Sequence, residues 1–168
     1  MQLLLAALDF AARAHAGQVR KYTGEPYINH PIEVANIVAT VPHDEAMLAA
    51  AFLHDVVEDC GVANAEVATR FGADVAELVH WLTDAALPED GNRAARKAID
   101  RAHIAAAPPR AKTVKLADLI SNTSSIVARD PGFAKIYMAE KVLLLPLLTE
   151  GDARLWADAQ ARVSAFYG

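Results

Sequence analysis

The stretch DEAMLAAAFLHDVVED, residues 44–59, decides the fold. It opens on Asp44, a residue suited to cap a helix because its carboxylate accepts from an orphan backbone N–H of the first turn. Met47, Leu48, Ala51, Phe52 and Val56 then recur at helical spacing. A helix this apolar belongs at the centre of a bundle, yet it carries His54, Asp55, Glu58 and Asp59 toward its end. Such groups are costly to hold in apolar surroundings unless they are partnered. Successive residues on a helix point roughly 100° apart, so His54 and Asp55 can reach one ion from neighbouring directions. Glu58 and Asp59 each follow one of them by a turn. The expectation is one continuous helix that aims all four at one pocket.

Outward from that helix the chain reads as helices on both sides, with no strand alternation, no repeat and no low-complexity linker. Leu4, Leu5, Leu8, Ala11 and Ala12 predict a first helix over residues 2–16, ended by Gly17. A loop follows, and Pro31 suits the first turn of a second helix that runs to Pro42. Further helices are expected over 64–71, 73–86, 89–106, 109–128, 131–149 and 152–166. Breakers separate most of them: Gly61, Gly72, Pro88 with Gly91, Pro108 with Pro109, Pro131 with Gly132, and Gly151. The fold class predicted is all-α, a helical bundle formed as one domain over residues 1–168.

Composition narrows the function. A chain of 168 residues with 54% hydrophobic and 22% charged residues is globular and long enough for a core of its own. A formal charge of −5 gives no general attraction for polyanions, so nucleic acid is not an expected partner. The apolar N-terminus has no basic residue ahead of it and soon acquires Asp9, Arg13 and His15, so it reads as a core helix and not as a leader. No apolar run approaches the length needed to span a bilayer, and no membrane is expected as a partner. Cys60 is the single cysteine, which accords with a reducing cytoplasm. The apolar run from Val142 to Leu148 either completes the core or offers a surface for a homo-oligomer.

Two further pieces belong with the central cluster. In KLADLISN, residues 115–122, Lys115, Asp118 and Asn122 share one helix face. In YINHP, residues 27–31, His30 stands just before a helix start. Two histidines and two aspartates make a mixed nitrogen and oxygen donor set, suited to Mn²⁺, Fe²⁺, Ni²⁺, Co²⁺ or Zn²⁺ and less so to Ca²⁺ or Mg²⁺. Other histidines read differently: His15 as a partner behind the site or a buried ring satisfied by Gln18, and His43, His80 and His103 as lacking partners at ligand spacing. Trp81 and Trp156 read as core or interface residues, and Cys60 has no adjacent base to make it a nucleophile.

Together HAGQVRK (15–21), GEPYINHP (24–31), AFLHDVVED (51–59), FG (71–72) with TD (83–84), and KLADLISN (115–122) resemble the HD-superfamily hydrolase domain of RelA/SpoT proteins, including its small stand-alone alarmone hydrolases. The resemblance implies an HD-domain helical bundle with His30, His54, Asp55 and Asp118 as metal ligands, the family ion being usually Mn²⁺. It implies Glu58 and Asp59 as the catalytic acidic pair, Arg20 and Lys21 as contacts to a guanine nucleotide, and Asn122 as a residue near its sugar. The reaction implied is removal of the 3′-pyrophosphate from ppGpp or pppGpp, giving GDP or GTP and pyrophosphate. For the distal phosphate, Lys97, with Arg93 and Arg96, supplies the nearest basic groups, in a polar segment that reads as a solvated face or a flap. The alternatives are an HD phosphohydrolase acting on another nucleotide or small phosphate ester, and a sensor that binds nucleotide without cleaving it. Cys60 stands where many members have Thr. The family's later basic residue has no clear counterpart, leaving Arg129, Lys135 and Tyr137.

Overall fold

The computed structural model describes residues 1–168 and contains ten α-helices. In chain order they are α1 (Gln2–Ala14), α2 (Asn29–Val38), α3 (Glu45–Leu53), α4 (Val56–Cys60), α5 (Asn64–Phe71), α6 (Ala73–Leu82), α7 (Arg93–Ala105), α8 (Pro109–Arg129), α9 (Pro131–Leu144) and α10 (Ala153–Tyr167). A 3₁₀ turn, Leu145–Leu147, follows α9, and the sole β-type pairing is an isolated bridge between Val19 and Pro26.

Helix α3 starts where Asp44 predicts, with its carboxylate accepting from the Met47 amide at 2.9 Å. Met47, Ala49, Ala50, Ala51 and Leu53 are all buried, so the helix is enclosed on nearly every side. Its alanines let α1, α2 and α6 pack against it. The helix does not run on through residue 59 as the periodicity predicts. It ends at Leu53, turns through His54 and Asp55, and resumes as the short α4. Asp55 has φ −98° and ψ −5°, between the helical and extended regions. The His54 ring meanwhile takes the Ala51 carbonyl at 2.8 Å. Gly61, at φ 67°, ends α4 in the left-handed conformation that glycine adopts without strain.

The second axis is α8, the longest helix, which begins with Pro109 at its first turn and packs on α2, α6 and α10. Twelve of its residues are buried, among them Lys112, which pairs with Glu150. Gly151 explains how the chain lies so close there: a Cβ on it would stand 2.9 Å from Leu116 Cδ1 and 3.1 Å from the backbone of Lys112 and Thr113. The buried apolar residues of α3, α8 and their neighbours form one continuous core of 37 residues.

Other departures from the predicted boundaries have local causes. Asn92 caps α7 by accepting from the Ala95 amide at 3.0 Å, so that helix begins after Pro88 and Gly91 instead of at residue 89. Helix α9 gives way to the 3₁₀ turn that contains Pro146, whose ring has no N–H to extend the helical ladder. The apolar run from Val142 to Leu148 serves the core with Leu144, Leu145 and Leu148 while Val142 and Leu143 stay exposed. No helix is long and apolar enough to cross a membrane.

Asp44 has a second duty, since Arg110 bridges it to Asp74 with contacts of 2.9 and 2.7 Å. Asp44→Ala is expected to lower the unfolding free energy by about 1 kcal/mol through loss of the cap. It should be read as a lower urea midpoint with an unchanged denaturant slope.

Candidate metal centre

Three segments bring four side chains to one point. His54 and Asp55 come from the turn between α3 and α4, His30 from the first turn of α2, and Asp118 from the middle of α8. His30 Nε2 lies 3.2 Å from Asp118 Oδ1 and 3.6 Å from Asp55 Oδ2. His54 Nε2 lies 3.0 Å from Asp55 Oδ2 and 3.8 Å from Asp118 Oδ1. Donor atoms of His30, His54 and Asp55 all fall within 4.8 Å of one another. Both imidazoles are 2% exposed, so water cannot stand in for missing partners.

The ring nitrogens turned away from this point are already committed. His54 Nδ1 donates to the Ala51 carbonyl, so Nε2 is the nitrogen left to face the carboxylates. That Nε2 is buried and makes no hydrogen bond, although Asp55 lies beside it. Burial disfavours a proton on His54, but the Asp55 and Asp118 carboxylates more than offset this and raise the imidazole to about 9. The arrangement therefore calls for positive charge among the four groups. Two imidazole nitrogens, which an ion would hold in their neutral form, and two carboxylates fit a divalent metal ion, with the orphaned His54 nitrogen as the clearest sign.

Around the four donors the charges are ordered. Burial works against Asp118 as an anion, yet Lys115, 3.1 Å from its Oδ2, and His30 hold it well below the usual carboxylate range. Tyr27 donates to Asp55 Oδ2 at 2.8 Å, and burial together with that carboxylate pushes its phenol far up. Glu58 and Asp59 stand at the rim on α4. Glu58 reaches solvent but is crowded by protein atoms, and this partial desolvation, with the Asp84 carboxylate, raises it to about 7 against the pull of Lys115. Asp59 is raised too, by desolvation and then by Asp55, while the Tyr27 hydroxyl pulls it back.

The remaining residues singled out in the sequence sit around this centre. Arg20 is nearly enclosed, with Nη2 donating to Asn122 Oδ1 at 3.2 Å and Nη1 to Glu33 Oε2 at 3.3 Å. Asn122 in turn donates to Asp118 Oδ1 at 2.7 Å. Lys21 is exposed, with its ammonium 4.9 Å from the Tyr22 ring centre. Lys97 reaches the same edge as Glu58, but Asp84 at 2.5 Å and Asp100 at 3.0 Å already offset its charge. Arg93 forks onto Glu140 of α9 and so ties the polar segment to the body, while Arg96 donates to the Gly91 carbonyl within that segment. His15 is buried and bonds Gln18 at 2.7 Å while packing on the Tyr27 ring. Arg129 spends itself on the Tyr22 carbonyl, Lys135 is exposed and Tyr137 is buried.

Sequence reasoning passed over Tyr27, Asp84 and Lys141. Tyr27 and Asp84 lie within stretches already singled out, Tyr27 three residues before His30. Lys141 carries no sequence signal. It makes no ion pair, and burial, reinforced by Lys115, lowers it to about 8 in a cavity of about 60 Å³ that also takes in Lys97, Lys115 and Asp84.

An all-helical bundle with two imidazoles and two carboxylates gathered at its centre is a helical domain with a candidate metal site. More narrowly, the chain belongs to the HD domain family, whose pattern its residues 7–142 match. Human MESH1, named a guanosine-3′,5′-bis(diphosphate) 3′-pyrophosphohydrolase, is 46% identical over 123 residues, covering 71% of this chain and 66% of that protein. A Synechocystis protein named as a probable enzyme of the same activity is 39% identical over 132 residues, which are 77% of this chain and 17% of that protein. The chain thus spans only part of the length of these relatives. The solved structure of a metazoan SpoT ortholog that hydrolyses ppGpp superposes with a TM-score of 0.88 at 29% identity, covering 98% of this chain and 96% of that one. A Listeria monocytogenes structure shares the fold at a TM-score of 0.71 and 24% identity.

A divalent ion that binds the folded chain and not the unfolded one stabilises it by mass action. Added Mn²⁺ or Zn²⁺ is expected to raise the melting temperature, EDTA to reverse the shift, and Asp55→Ala to abolish it. Melting curves with and without ion check this.

Proposed function

We propose that this chain is a metal-dependent (p)ppGpp 3′-pyrophosphohydrolase, with His30, His54, Asp55 and Asp118 holding the ion, most simply Mn²⁺. The observation that carries this reading is the acidic pair Glu58 and Asp59, set at the rim of a pre-arranged two-histidine, two-carboxylate centre. The likeness to relatives named for that activity supports it. In the reaction water attacks the phosphorus bonded to the ribose 3′ oxygen. The 3′ O–P bond breaks, the 3′ oxygen takes a proton, and pyrophosphate leaves. A bound divalent ion supplies a lowered pKa for water and neutralises phosphate charge.

The side chains divide the remaining work. Glu58, at about 7, is the proton donor to the leaving 3′ oxygen, and Asp59, the more acidic residue type, takes the proton of the attacking water. Lys115, fixed on Asp118, places a buried cation beside the charge that develops on phosphate. Arg20 offers a planar face or fork to the guanine nucleotide and Lys21 a mobile charge beside it. Asn122 stands near the sugar, and Lys97 meets the distal phosphate by exchanging carboxylate partners for phosphate oxygens.

Mn²⁺-loaded protein incubated with ppGpp is expected to release pyrophosphate and GDP in equal amounts. Release of orthophosphate, or equal turnover of nucleotides lacking guanine, would place the chain with HD phosphohydrolases of other specificity. Because the acid form of Glu58 is the active one, kcat should fall as pH rises through the Glu58 value. Glu58→Gln is expected to lose at least 100-fold in kcat and with it that limb of the profile.

A further inference from the structure

The outer face of His30 leads to two residues that no part of the reaction uses. His30 Nδ1 lies 3.0 Å from Ser121 Oγ, both buried, and the Ser121 hydroxyl donates to Glu33 Oε2 at 2.8 Å. A carboxylate has no proton to give, so the single hydroxyl hydrogen of Ser121 is spent on Glu33. Ser121 Oγ is therefore left only as an acceptor toward the ring, and His30 Nδ1 must be the donor. That fixes the tautomer of the neutral ring: the proton sits on Nδ1, and Nε2, which faces Asp55 and Asp118, is the nitrogen whose lone pair an ion would take. Glu33 stands one turn after His30 on α2, and Ser121 one turn after Asp118 on α8. The relay thus joins the two helices that each supply a candidate ligand.

We propose that Glu33 and Ser121 are positioning residues for His30, a serine-relayed carboxylate–histidine pair that presents its Nε2 to the metal, and that Arg20 holds this relay together. The inference rests on the reading of the four donors as a metal centre. Arg20 Nη1 meets the same Glu33 oxygen that accepts from Ser121, while its Nη2 meets Asn122, which donates to Asp118. One guanidinium therefore backs His30 through Glu33 and Ser121, and Asp118 through Asn122. A carboxylate behind a ligating histidine orients the ring and raises its basicity, and its loss typically weakens metal binding 10–100-fold. Because Glu33 is half-exposed, the guanidinium is what keeps its carboxylate aimed inward.

The test is calorimetric titration of the metal-free chain with Mn²⁺ alone, without nucleotide, joined to ¹⁵N NMR of the histidine rings in the Zn²⁺-loaded chain. Wild type is expected to bind one ion and to show His30 protonated at Nδ1, with a slowly exchanging proton. Ser121→Ala and Glu33→Ala should each weaken Mn²⁺ binding 10–100-fold and speed that exchange. Glu33→Gln, whose amide oxygen still accepts from Ser121, should restore most of both. Arg20→Ala should weaken Mn²⁺ binding although no nucleotide is present, which a residue serving only the base would not do. Circular dichroism checks folding, and if Ser121→Ala does not fold, the half-exposed Glu33 variants carry the test. Variants that bind Mn²⁺ as wild type does, with His54→Ala impaired, overturn the relay and leave the metal centre standing. A wild type that binds no ion overturns both.

Discussion

Asp55 and Asp118 place two carboxylates against two imidazole nitrogens in an interior largely closed to solvent. Each charge there must be answered by a neighbour, because an unpaired buried charge costs several kcal/mol. Lys115 answers on one side of Asp118 and Tyr27 donates to Asp55 on the other. Between them the two Nε2 atoms point inward with their outer nitrogens already bonded. Most of what surrounds the centre follows from this constraint: the turn that aims His54, the first-turn position of His30, and the line of polar residues along α8. The packing of α1, α2 and α6 on an alanine-rich α3 holds that turn in place from behind.

Helix α8 carries the centre as a ruled edge. Lys115, Asp118, Ser121 and Asn122 fall at intervals of three and four, so a single rigid element sets a cation, a candidate ligand and two supports in register. A loop could hold these groups but not with the same precision, because loops open more readily than core helices. The glycine contact at residue 151 and the Lys112–Glu150 pair clamp the N-terminal half of α8, close to where Lys115 leaves the backbone.

Much of this was legible in the residues. The shared face of Lys115, Asp118 and Asn122 follows from helical spacing, which survives because α8 is long and uninterrupted. The central placement of residues 44–53 follows from their apolar periodicity, and the Asp44 cap from its side chain. What stayed hidden depends on interactions that periodicity does not encode. The break at His54 and Asp55 arises where a side chain takes a backbone carbonyl, and a run of apolar residues continues across it without a sign. Ser121 and Glu33 look like ordinary solvated residues until α2 and α8 meet. The Lys97 charge reads as free in a basic segment, whereas Asp84, brought in by the end of α6, stands against it. Lys141 lies beyond the motifs altogether, and only the packing of α9 brings it to the wall of the adjoining cavity that holds Lys97, Lys115 and Asp84.

Burial falls off across the centre in a way that matches the chemistry proposed for each part. His30 and His54 are dry and Asp118 nearly so, which strengthens every electrostatic contact among them and keeps their geometry from being diluted by solvent. Glu58 and Asp59, one turn further along the chain, sit at the edge of the water. Groups that exchange protons with solvent in each turnover need that access, and groups that hold an ion in fixed geometry need its absence. The turn after Leu53 accomplishes both within six residues. It ends the buried helix at two candidate ligands and starts a new one whose first exposed residues are the acidic pair. A continuous helix would have carried the same six residues along the axis of α3 without that change of direction. The interruption that the periodicity failed to signal is therefore the feature that separates the dry half of the site from the wet one.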